Sequence, residues 1–306
     1  MTKRVQVLLS TYNGEKYLEE QLDSVLAQSY QNLSILVRDD GSMDSTKAIL
    51  ERYKKKYENI KVLLGKNKGV IASFFELLRQ ASEEVDYFAF CDQDDYWQAD
   101  KLETALRRLK NIDESIPALY CGRVELVNER LEHIGMYPLR KRGPSFENAI
   151  VQNIATGCTI VMNKAARRLI LSRLPQPENV VMHDWWFYLV VSAFGIVIYD
   201  PESKMLYRQH GANTVGTDHT FLGRWLTRFK RYVKKKEYGF ITRQAQEFMT
   251  LYGEILNIEK KKTLSKFLES RKTLFRRTIY SFTGKVHRQT WSEDIICRIV
   301  LFLNMV

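Results

Sequence analysis

The chain has 306 residues, 45% hydrophobic and 12% aromatic, which is enough to bury a large core in one or two domains. Its four cysteines are far apart and form no CxxC pair, so we expect neither a disulfide framework nor a cysteine zinc site. The environment expected for such a protein is a reducing cytosol. The N-terminal apolar run is too short for a signal peptide, and no run approaches the roughly 18 apolar residues of a membrane span.

The first two-thirds of the chain alternates strand-like and helix-like segments. Strands are predicted at VQVLLS, LSILVRDD, KVLLG and VDYFAFC, and the segments between them carry apolar residues at helical spacing. Further along, PALYCGRVELVN and ATGCTIVMN are strand-like, and HDWWFYLVVSAFG is an apolar helix. Strands that alternate with helices of about 10–15 residues predict βαβ units and a mostly parallel sheet.

Polar segments follow three of the predicted strands, namely STYNG, DDGS and CDQDD. Ligands of parallel sheets bind beyond the carboxyl ends of the strands, so we expect these segments to share one crevice. Asp92, Asp94 and Asp95 could hold a divalent metal, act as general acid and base, or only shape a turn. Asp100 has the spacing of a helix cap, which weakens the capping interpretation of the other three.

A metal held by one or two carboxylates usually completes its coordination with water and phosphate oxygens, so a diphosphate is a natural partner for these acids. The chain has no GxGxxG or GxxxxGK[ST] loop, and a metal would therefore have to neutralise the phosphates. Tyr12 could stack on a planar base, and an aspartate could accept a hydrogen bond from a base N–H.

Four motifs in this order, LLSTYNGEKYLEEQLDSVLAQSY, VRDDGSMDST, FAFCDQDDYW and HDWW, resemble the inverting glycosyltransferases of family 2. The resemblance covers about residues 4 to 215. The segments DQDD, TGCT and YRQHGANTVG are most similar to the rhamnosyltransferase branch, which builds bacterial surface polysaccharides. The fold implied is α/β of the GT-A type, a Rossmann-like, mostly parallel central sheet flanked by helices, followed here by a basic helical region.

The resemblance also implies a nucleoside pocket. Thr11 and Tyr12 would line it, Asp39 would accept the N3–H of a uracil or thymine base, and Asp40 would shape the turn or assist. The alternatives are that the two aspartates only form a turn and that Tyr12 belongs to the core.

The same resemblance makes CDQDD the DxD motif. Asp94 would bind Mn²⁺ or Mg²⁺ directly, and Asp92 would lie nearer the ribose and the metal shell. Asp95 would support these ligands without contacting the metal. His210 lies where some GT-A enzymes place a late metal or diphosphate contact, although a surface histidine is the alternative.

The motif HDWW would supply the general base. Asp184 would take the proton of the acceptor hydroxyl, and the alternative is that it only caps a helix. Many relatives have Glu before this Asp, whereas this chain has His183, which we expect to position or contact the acceptor. Trp185 could form a platform for a sugar ring or pack in the core.

The basic charge is confined to the C-terminal third. From residue 221 to 290 there are 18 Lys+Arg and 5 Asp+Glu, a balance of +13, so the rest of the +11 chain sums to −2. We therefore predict a catalytic domain over residues 1–220 and a basic amphipathic helical region over 221–306. This region could bind an anionic membrane surface, form a homo-oligomer or only present solvated helices. Nucleic acid is disfavoured because the predicted crevice is acidic.

The predicted function is metal-dependent, inverting transfer of a hexose, with dTDP-rhamnose as the expected donor, to a hydroxyl of a growing cell-surface glycan that is lipid-linked or protein-linked. One alternative is a UDP-hexose donor, for galactosyl or glucosyl transfer. An alternative of another class is a catalytically inert subunit that binds a sugar nucleotide. The expected location is cytoplasmic, at the inner face of the cell membrane.

Overall fold

The computed structural model describes residues 2–210 and 239–306. These residues divide into two compact units. The first unit holds residues up to 139, with 155–172 and 182–208, and the second holds 140–154, 173–181 and the residues from 209 onward. The predicted boundary near residue 220 and the first part of the predicted basic amphipathic region, residues 221–238, lie outside the described residues.

The first unit is built on one sheet, which has nine strands within the described residues. Four neighbouring strands are parallel, in the order β3-β2-β1-β4. Then β8 runs antiparallel between β4 and β6, and β6 pairs in parallel with β9. The strands are β1 (Val5–Thr11), β2 (Leu33–Asp39), β3 (Ile60–Leu64), β4 (Tyr87–Cys91), β5 (Tyr96–Trp97), β6 (Ala118–Val127), β7 (His133–Met136), β8 (Val161–Asn163) and β9 (Ile196–Arg208).

Helices cover the sheet and make up the second unit. In chain order the α-helices of the described residues are α1 (Leu18–Leu26), α2 (Thr46–Lys56), α3 (Val70–Gln80), α4 (Lys101–Leu109), α5 (Phe146–Val151), α6 (Lys164–Ser172), α7 (His183–Phe194), α8 (Phe240–Tyr252), α9 (Ile258–Ser270), α10 (Leu274–Thr283) and α11 (Trp291–Phe302). The segments 140–154 and 173–181 supply α5 and a short 3₁₀ turn to the second unit, and α8 to α11 supply its other described helices.

The central strands are buried on both faces because helices cover both sides of the sheet. In β1 nearly every side chain is buried, which explains its continuous run of aliphatic residues. The apolar face of α1, predicted from helical spacing, packs in the same core as Val7 and Leu9 of β1. The predicted α/β class with a mostly parallel sheet is confirmed, although the half of the sheet beyond β4 is mixed.

Two local predictions are wrong in detail. Asp100 occupies the N-cap position of α4, but its side chain accepts no backbone N–H of the first turn. It binds Lys204 Nζ at 2.8 Å and accepts from Thr104 Oγ1 at 3.4 Å instead. The segment ATGCTIVMN is not one strand, since Gly157–Thr159 forms a 3₁₀ turn and only Val161–Asn163 joins the sheet. This turn carries residues of the site described below.

The second unit is tied together by hydrogen bonds between distant parts of the chain. Asn148 Nδ2 donates to the carbonyl of His287 at 3.0 Å, and Gln244 Oε1 accepts from the backbone N–H of Val181 at 2.9 Å. Across residues 2–210 and 239–306, no helix is long and apolar enough to cross a membrane.

Candidate active site

The carboxyl ends of β1 and β2 meet because the strands are parallel neighbours, with Thr11 in register with Asp39. Thr11 Oγ1 donates to Asp39 Oδ1 at 3.2 Å, and Ser42 Oγ also donates to this oxygen. Oδ2 accepts the backbone N–H groups of Gly41 at 3.1 Å and Ser42 at 2.9 Å. The buried Asp39 therefore holds the turn after β2 in this structure, and its contact with a base stays a prediction.

Asp40 lies in a buried ion pair. Its Oδ1 is 2.5 Å from Arg38 Nη1, and both side chains are 4% exposed. The backbone N–H groups of Lys68 and Gly69 donate to its two carboxylate oxygens, each at 2.8 Å. Asp40 thus fixes the loop that leads into α3, and its part in nucleotide binding stays a prediction.

Tyr12 stands at the end of β1 and is 47% exposed, so it is not a core residue. The side-chain amide of Gln93 pairs with its backbone in both directions, since Oε1 accepts from Tyr12 N at 2.8 Å and Nε2 donates to Tyr12 O at 3.1 Å. A Cβ on Gly14 would come within 2.3 Å of Gln93 Oε1, so glycine leaves room for this pairing. An exposed aromatic ring is thereby tied to the CDQDD loop.

The three acids that follow β4 do not share one environment. Ligand atoms of Asp92, Asp95 and Cys158 all lie within 4.8 Å of one another, and we call these three residues the acidic group. Asp94 does not belong to this group. Asp95 is fully buried, and its Oδ1 accepts from the backbone N–H of Arg208 at 3.2 Å. Within the described residues, no nitrogen or hydroxyl group donates to its Oδ2.

Burial and crowding favour the protonated forms of this group. Burial raises the pKa of Asp92 to about 7, and the charges of Asp94 and Asp184 add to the effect. Burial also raises the pKa of Asp95 well above its ordinary range, with Asp94 and Asp92 contributing. The pKa of the Cys158 thiol is raised by burial and by these two carboxylates, which keeps the sulfur protonated.

The acidic group fits a divalent cation. Carboxylate oxygens are the ligands that Mg²⁺ and Mn²⁺ prefer, and Oδ2 of Asp95 is a buried acceptor without a nitrogen or hydroxyl donor in the described residues. A bound cation would also favour the ionised carboxylates that burial disfavours. Direct ligation by Asp94 stays a prediction, because the ligand atoms gathered here belong to Asp92 and Asp95.

A buried lysine lies close to the acidic group. The Nζ atom of Lys101 is 3.5 Å from the ring centroid of Trp97 and has no hydrogen-bond partner among the described residues. Burial lowers the pKa of Lys101 to about 8, while Cys91, Cys158 and Asp95 act in the opposite direction. Trp97, 1% exposed, is therefore a core residue that also carries this cation on its face.

Asp184 lies in the first turn of α7, after an N-cap position occupied by Met182. Its Oδ2 accepts from the backbone N–H of Gly157 at 3.0 Å, and its Oδ1 accepts from that of Trp185 at 2.6 Å. Gly157 directly precedes Cys158, so one 3₁₀ turn contacts both Asp184 and the acidic group. The structure thus brings the predicted base and the predicted DxD motif together.

His183 is 4% exposed and its ring stacks on Phe74 with 4.0 Å between centroids. Neither ring nitrogen has a hydrogen-bond partner within the described residues, and burial lowers the pKa of His183 to about 3. The imidazole is therefore neutral and buried among aromatic rings. Its predicted contact with the acceptor stays a prediction, as does the platform role of the half-buried Trp185.

Sequence reasoning missed four residues of this site. Gln93, Cys158 and Arg208 lie inside the segments DQDD, TGCT and YRQHGANTVG of the resemblance but carried no signal of their own, and Lys101 lies outside all of them. His210 is partly exposed and belongs to the second unit, so its role as a metal ligand stays a prediction.

Comparison with known proteins identifies the family of the chain. A model of Glycosyl transferase family 2 matches residues 6–174. Over 247 residues the chain is 31% identical to the dTDP-rhamnosyl transferase RfbG of Shigella flexneri. The aligned part covers 74% of this chain and 81% of that protein.

Solved glycosyltransferase structures share the fold. S. aureus TarS in complex with UDP-GlcNAc matches 99% of this chain and 81% of its own, with a TM-score of 0.62 and 19% identity. The mannosyltransferase PcManGT of Pyrobaculum calidifontis, in complex with GDP-Man and Mn²⁺, matches 99% of this chain and 88% of its own, with a TM-score of 0.53 and 16% identity. At these identities the similarity confirms the fold, which is of the GT-A type.

Proposed function

This chain belongs to glycosyl transferase family 2, and from that premise we propose that it moves L-rhamnose from dTDP-rhamnose to a hydroxyl of a growing cell-surface glycan. The transfer is proposed to be metal-dependent and inverting. The similarity to a dTDP-rhamnosyl transferase supports the choice of donor. The acceptor is proposed to be lipid-linked or protein-linked.

One arrangement carries the proposal. The exposed Tyr12 lies at the end of β1, and Gln93 ties its backbone to the loop that holds the acidic group. The turn at Gly157 links the acidic group to Asp184. A candidate stacking surface, a candidate cation site and a candidate base are thus connected within the first unit, as transfer from a nucleotide sugar requires.

Asp184 is the proposed general base. Its two oxygens accept the backbone N–H groups of Gly157 and Trp185, which orient the carboxylate. The acceptor oxygen forms a bond to the anomeric carbon on the face opposite the nucleotide, and its proton passes to Asp184. The bond from that carbon to the phosphate oxygen breaks, and its electron pair leaves with the nucleotide. General-base assistance of this kind contributes about 10²–10⁴-fold to the rate.

Asp92, Asp94 and Asp95 would hold Mg²⁺ or Mn²⁺, with His210 proposed as a further contact. When bound, the cation supplies Lewis-acid neutralisation of the diphosphate, which makes the nucleotide a better leaving group. Asp92 and Asp95 would then remain ionised near neutral pH, where burial alone favours their protonated forms.

The remaining proposed roles concern binding. Thr11, Tyr12, Asp39 and Asp40 would form the nucleoside pocket, with the ring of Tyr12 stacking on the base. His183 and Trp185 would position the acceptor beside Asp184.

We also propose a location at the inner, cytoplasmic face of the cell membrane. The C-terminal helices would contact anionic lipid or a second copy of the chain. A lipid-linked acceptor would be within reach of an enzyme held at this surface.

The test is nucleotide release from a panel of dTDP- and UDP-sugars, with Mn²⁺ and with EDTA. Wild type is compared with Asp94→Ala and Asp184→Asn, and with Asp113→Asn as a control at an exposed turn. We expect metal-dependent turnover of dTDP-rhamnose that both site variants lose and the control keeps. Turnover of a UDP-hexose instead would favour the alternative donor. Donor binding without turnover, even with suitable acceptors, would favour an inert binding subunit.

A further inference from the structure

The second unit concentrates exposed apolar side chains in one short part of the chain. Among the described residues, twenty large hydrophobic side chains are exposed, and nine of them lie between residues 274 and 303. On α10, Phe275, Ile279 and Phe282 are spaced four and three residues apart, which puts them on one face of the helix. They are 75%, 47% and 83% exposed, so the described residues of the second unit leave this face open.

The neighbouring helix α11 has a similar exposed face. Its opposite side packs on α10, since Arg298 Nη1 lies 3.4 Å from the carbonyl oxygen of Tyr280 and Val300 is buried. The exposed face is led by a tryptophan and repeats at intervals of four, four and three residues. Its members are Trp291, Ile295, Ile299 and Phe302, between 40% and 74% exposed.

A basic cavity adjoins the exposed face of α10. It has a volume of about 190 Å³ and lies where α9 meets the end of α10. Thr283 and Gly284 line it directly after Phe282, so the cavity and the apolar face follow each other along the chain. Its charged lining is Lys262, Lys266, Lys285 and Glu259, with Lys285 Nζ 3.8 Å from a Glu259 oxygen.

Charge decides what fits this surface. Residues 271–290 contain six Lys and Arg and no Asp or Glu. A second copy docked face to face would place equal basic surfaces against each other, which is unfavourable. A bilayer with anionic headgroups offers an apolar layer directly beneath a layer of negative charge. Helices with aromatic and aliphatic residues beside lysines bind such interfaces.

We propose that the exposed faces of α10 and α11 and the adjoining lysine cavity form a docking surface for an anionic phospholipid bilayer. Phe275, Phe282 and Trp291 enter the boundary between headgroups and acyl chains. The cavity takes a lipid phosphate among Lys262, Lys266 and Lys285. This docking surface specifies which residues make the membrane contact named in the proposed function. Its biological purpose rests on that function, whereas the binding of vesicles does not.

The test is co-sedimentation of the full chain with vesicles of phosphatidylglycerol and phosphatidylcholine, and with vesicles of phosphatidylcholine alone. The apolar variant is Phe275→Ser with Phe282→Ser, matched by Ile116→Ser, an exposed isoleucine of the first unit. The basic variant is Lys262→Gln with Lys266→Gln, matched by Lys54→Gln with Lys55→Gln on α2. All six positions of the double variants are on the protein surface, so folding should be kept and is checked by circular dichroism.

We expect wild type and both controls to bind anionic vesicles and to lose binding at high salt. The basic variant should bind about fivefold more weakly for each lysine removed, and the apolar variant at least about tenfold more weakly. Equal binding of all variants, or equal binding to both kinds of vesicle, would overturn the proposal. So would a wild-type dimer in light scattering that the apolar variant loses without any vesicle binding. Binding of soluble inorganic phosphate with no vesicle binding would also overturn it.

Docking and catalysis are measured separately. Nucleotide release from a soluble donor, assayed without lipid, should be unchanged in both docking variants, because all four substituted residues belong to the second unit. Loss of vesicle binding with normal nucleotide release therefore tests the docking surface alone. Absence of nucleotide release in wild type tests the proposed transferase activity alone.

Discussion

Arg208 donates from Nε to the backbone carbonyl of Asp94 at 2.9 Å, and its own backbone N–H donates to Asp95 Oδ1 at 3.2 Å. The guanidinium is 1% exposed and also reaches the carbonyl of Glu129 and the carboxylate of Glu20. One residue at the end of β9 thus anchors the acidic loop, residues 92–95, to α1 and to the turn before β7. Arg208 positions this loop through the backbone of Asp94 and the carboxylate of Asp95.

The first prediction concerns this anchor. Arg208→Met should weaken Mn²⁺ binding by about 10–100-fold, because residues that orient metal ligands typically contribute that much to affinity. Arg208→Lys should restore little, since an ammonium cannot reproduce the fork of donors that reaches three partners. The measurement is a Mn²⁺ titration followed by electron paramagnetic resonance on protein that is folded by circular dichroism.

The matched control for this prediction is Arg52→Met, which removes an exposed arginine paired with Glu19. The control should bind Mn²⁺ like wild type. Unchanged affinity in Arg208→Met would show that the loop holds its shape without the anchor.

The second prediction concerns pH and the acidic group. The pKa of Asp92 rises on folding from about 3.8 to about 7, so the folded metal-free protein holds a proton that the unfolded chain has released. This contribution to stability is present at low pH and is lost as pH rises through about 7. Asp92→Asn should therefore raise the melting temperature in EDTA above about pH 7 by several degrees.

The same variant should lose stabilisation by Mn²⁺, which wild type gains by binding the ion. Thermal denaturation across pH, with EDTA and with Mn²⁺, measures both effects. Asp113→Asn, at an exposed turn, should follow wild type in both conditions. A lower melting temperature for Asp92→Asn in EDTA would contradict the prediction.

The third prediction concerns His183, whose buried ring has a pKa lowered to about 3. Between about pH 6.5 and pH 3 the unfolded chain binds a proton that the folded chain does not, so stability falls as pH falls. His183→Phe should remove this loss, which amounts to roughly 2 kcal/mol between about pH 6.5 and pH 5. Urea denaturation of both proteins near pH 5 and near pH 7 measures it.

A phenylalanine at this position keeps the stack on Phe74, so a change in packing should affect both pH values alike. The difference between the two pH values isolates the histidine. If wild type and His183→Phe lose the same stability on acidification, the ring is protonated in the folded state and is not buried as described.

The fourth prediction concerns Gly14 and Gln93. Alanine at position 14 would place its Cβ 2.3 Å from Gln93 Oε1, and the flexible side chain would have to leave the backbone of Tyr12. Gly14→Ala should therefore raise the KM for the donor while costing about 1 kcal/mol or less of stability. Steady-state nucleotide release and urea denaturation measure the two quantities.

A double-mutant cycle with Gln93→Ser separates the contact from other effects of the alanine. In the Gln93→Ser background, Gly14→Ala should change the KM little, because the side chain that it displaces is gone. Additive effects of the two substitutions would mean that Gly14 acts through something other than Gln93.

Much of the fold could be predicted because its signals are local. Continuous apolar runs predicted β1, β2 and β4, helical spacing predicted α1 and α2, and an apolar segment predicted α7, all of which the structure confirms. The short strand β8 and the turn at Gly157–Thr159 were merged into one predicted strand, because residues that are fully buried look alike in either conformation.

The candidate site was predicted only in part. The rule that ligand sites follow the carboxyl ends of parallel strands located the segments around Tyr12, Asp39 and Asp92. It could not show that the carboxylate of Asp39 accepts hydrogen bonds from the turn that follows β2. Nor could it show that Asp95, rather than Asp94, lies beside Asp92 and Cys158. Those distinctions depend on side-chain directions, which strand alternation does not determine for residues in a loop.

The sequence by itself determined the α/β class, the resemblance to family 2, the strand ends that carry the site and the basic character of the C-terminal third. Tertiary structure decided that segments 140–154 and 173–181 join the second unit and that Arg208 anchors the acidic loop. The physical reason is distance along the chain. Periodicity acts over a few residues, whereas Arg208 and Asp94 are 114 positions apart and meet only because β9 pairs with β5, which directly follows the acidic loop.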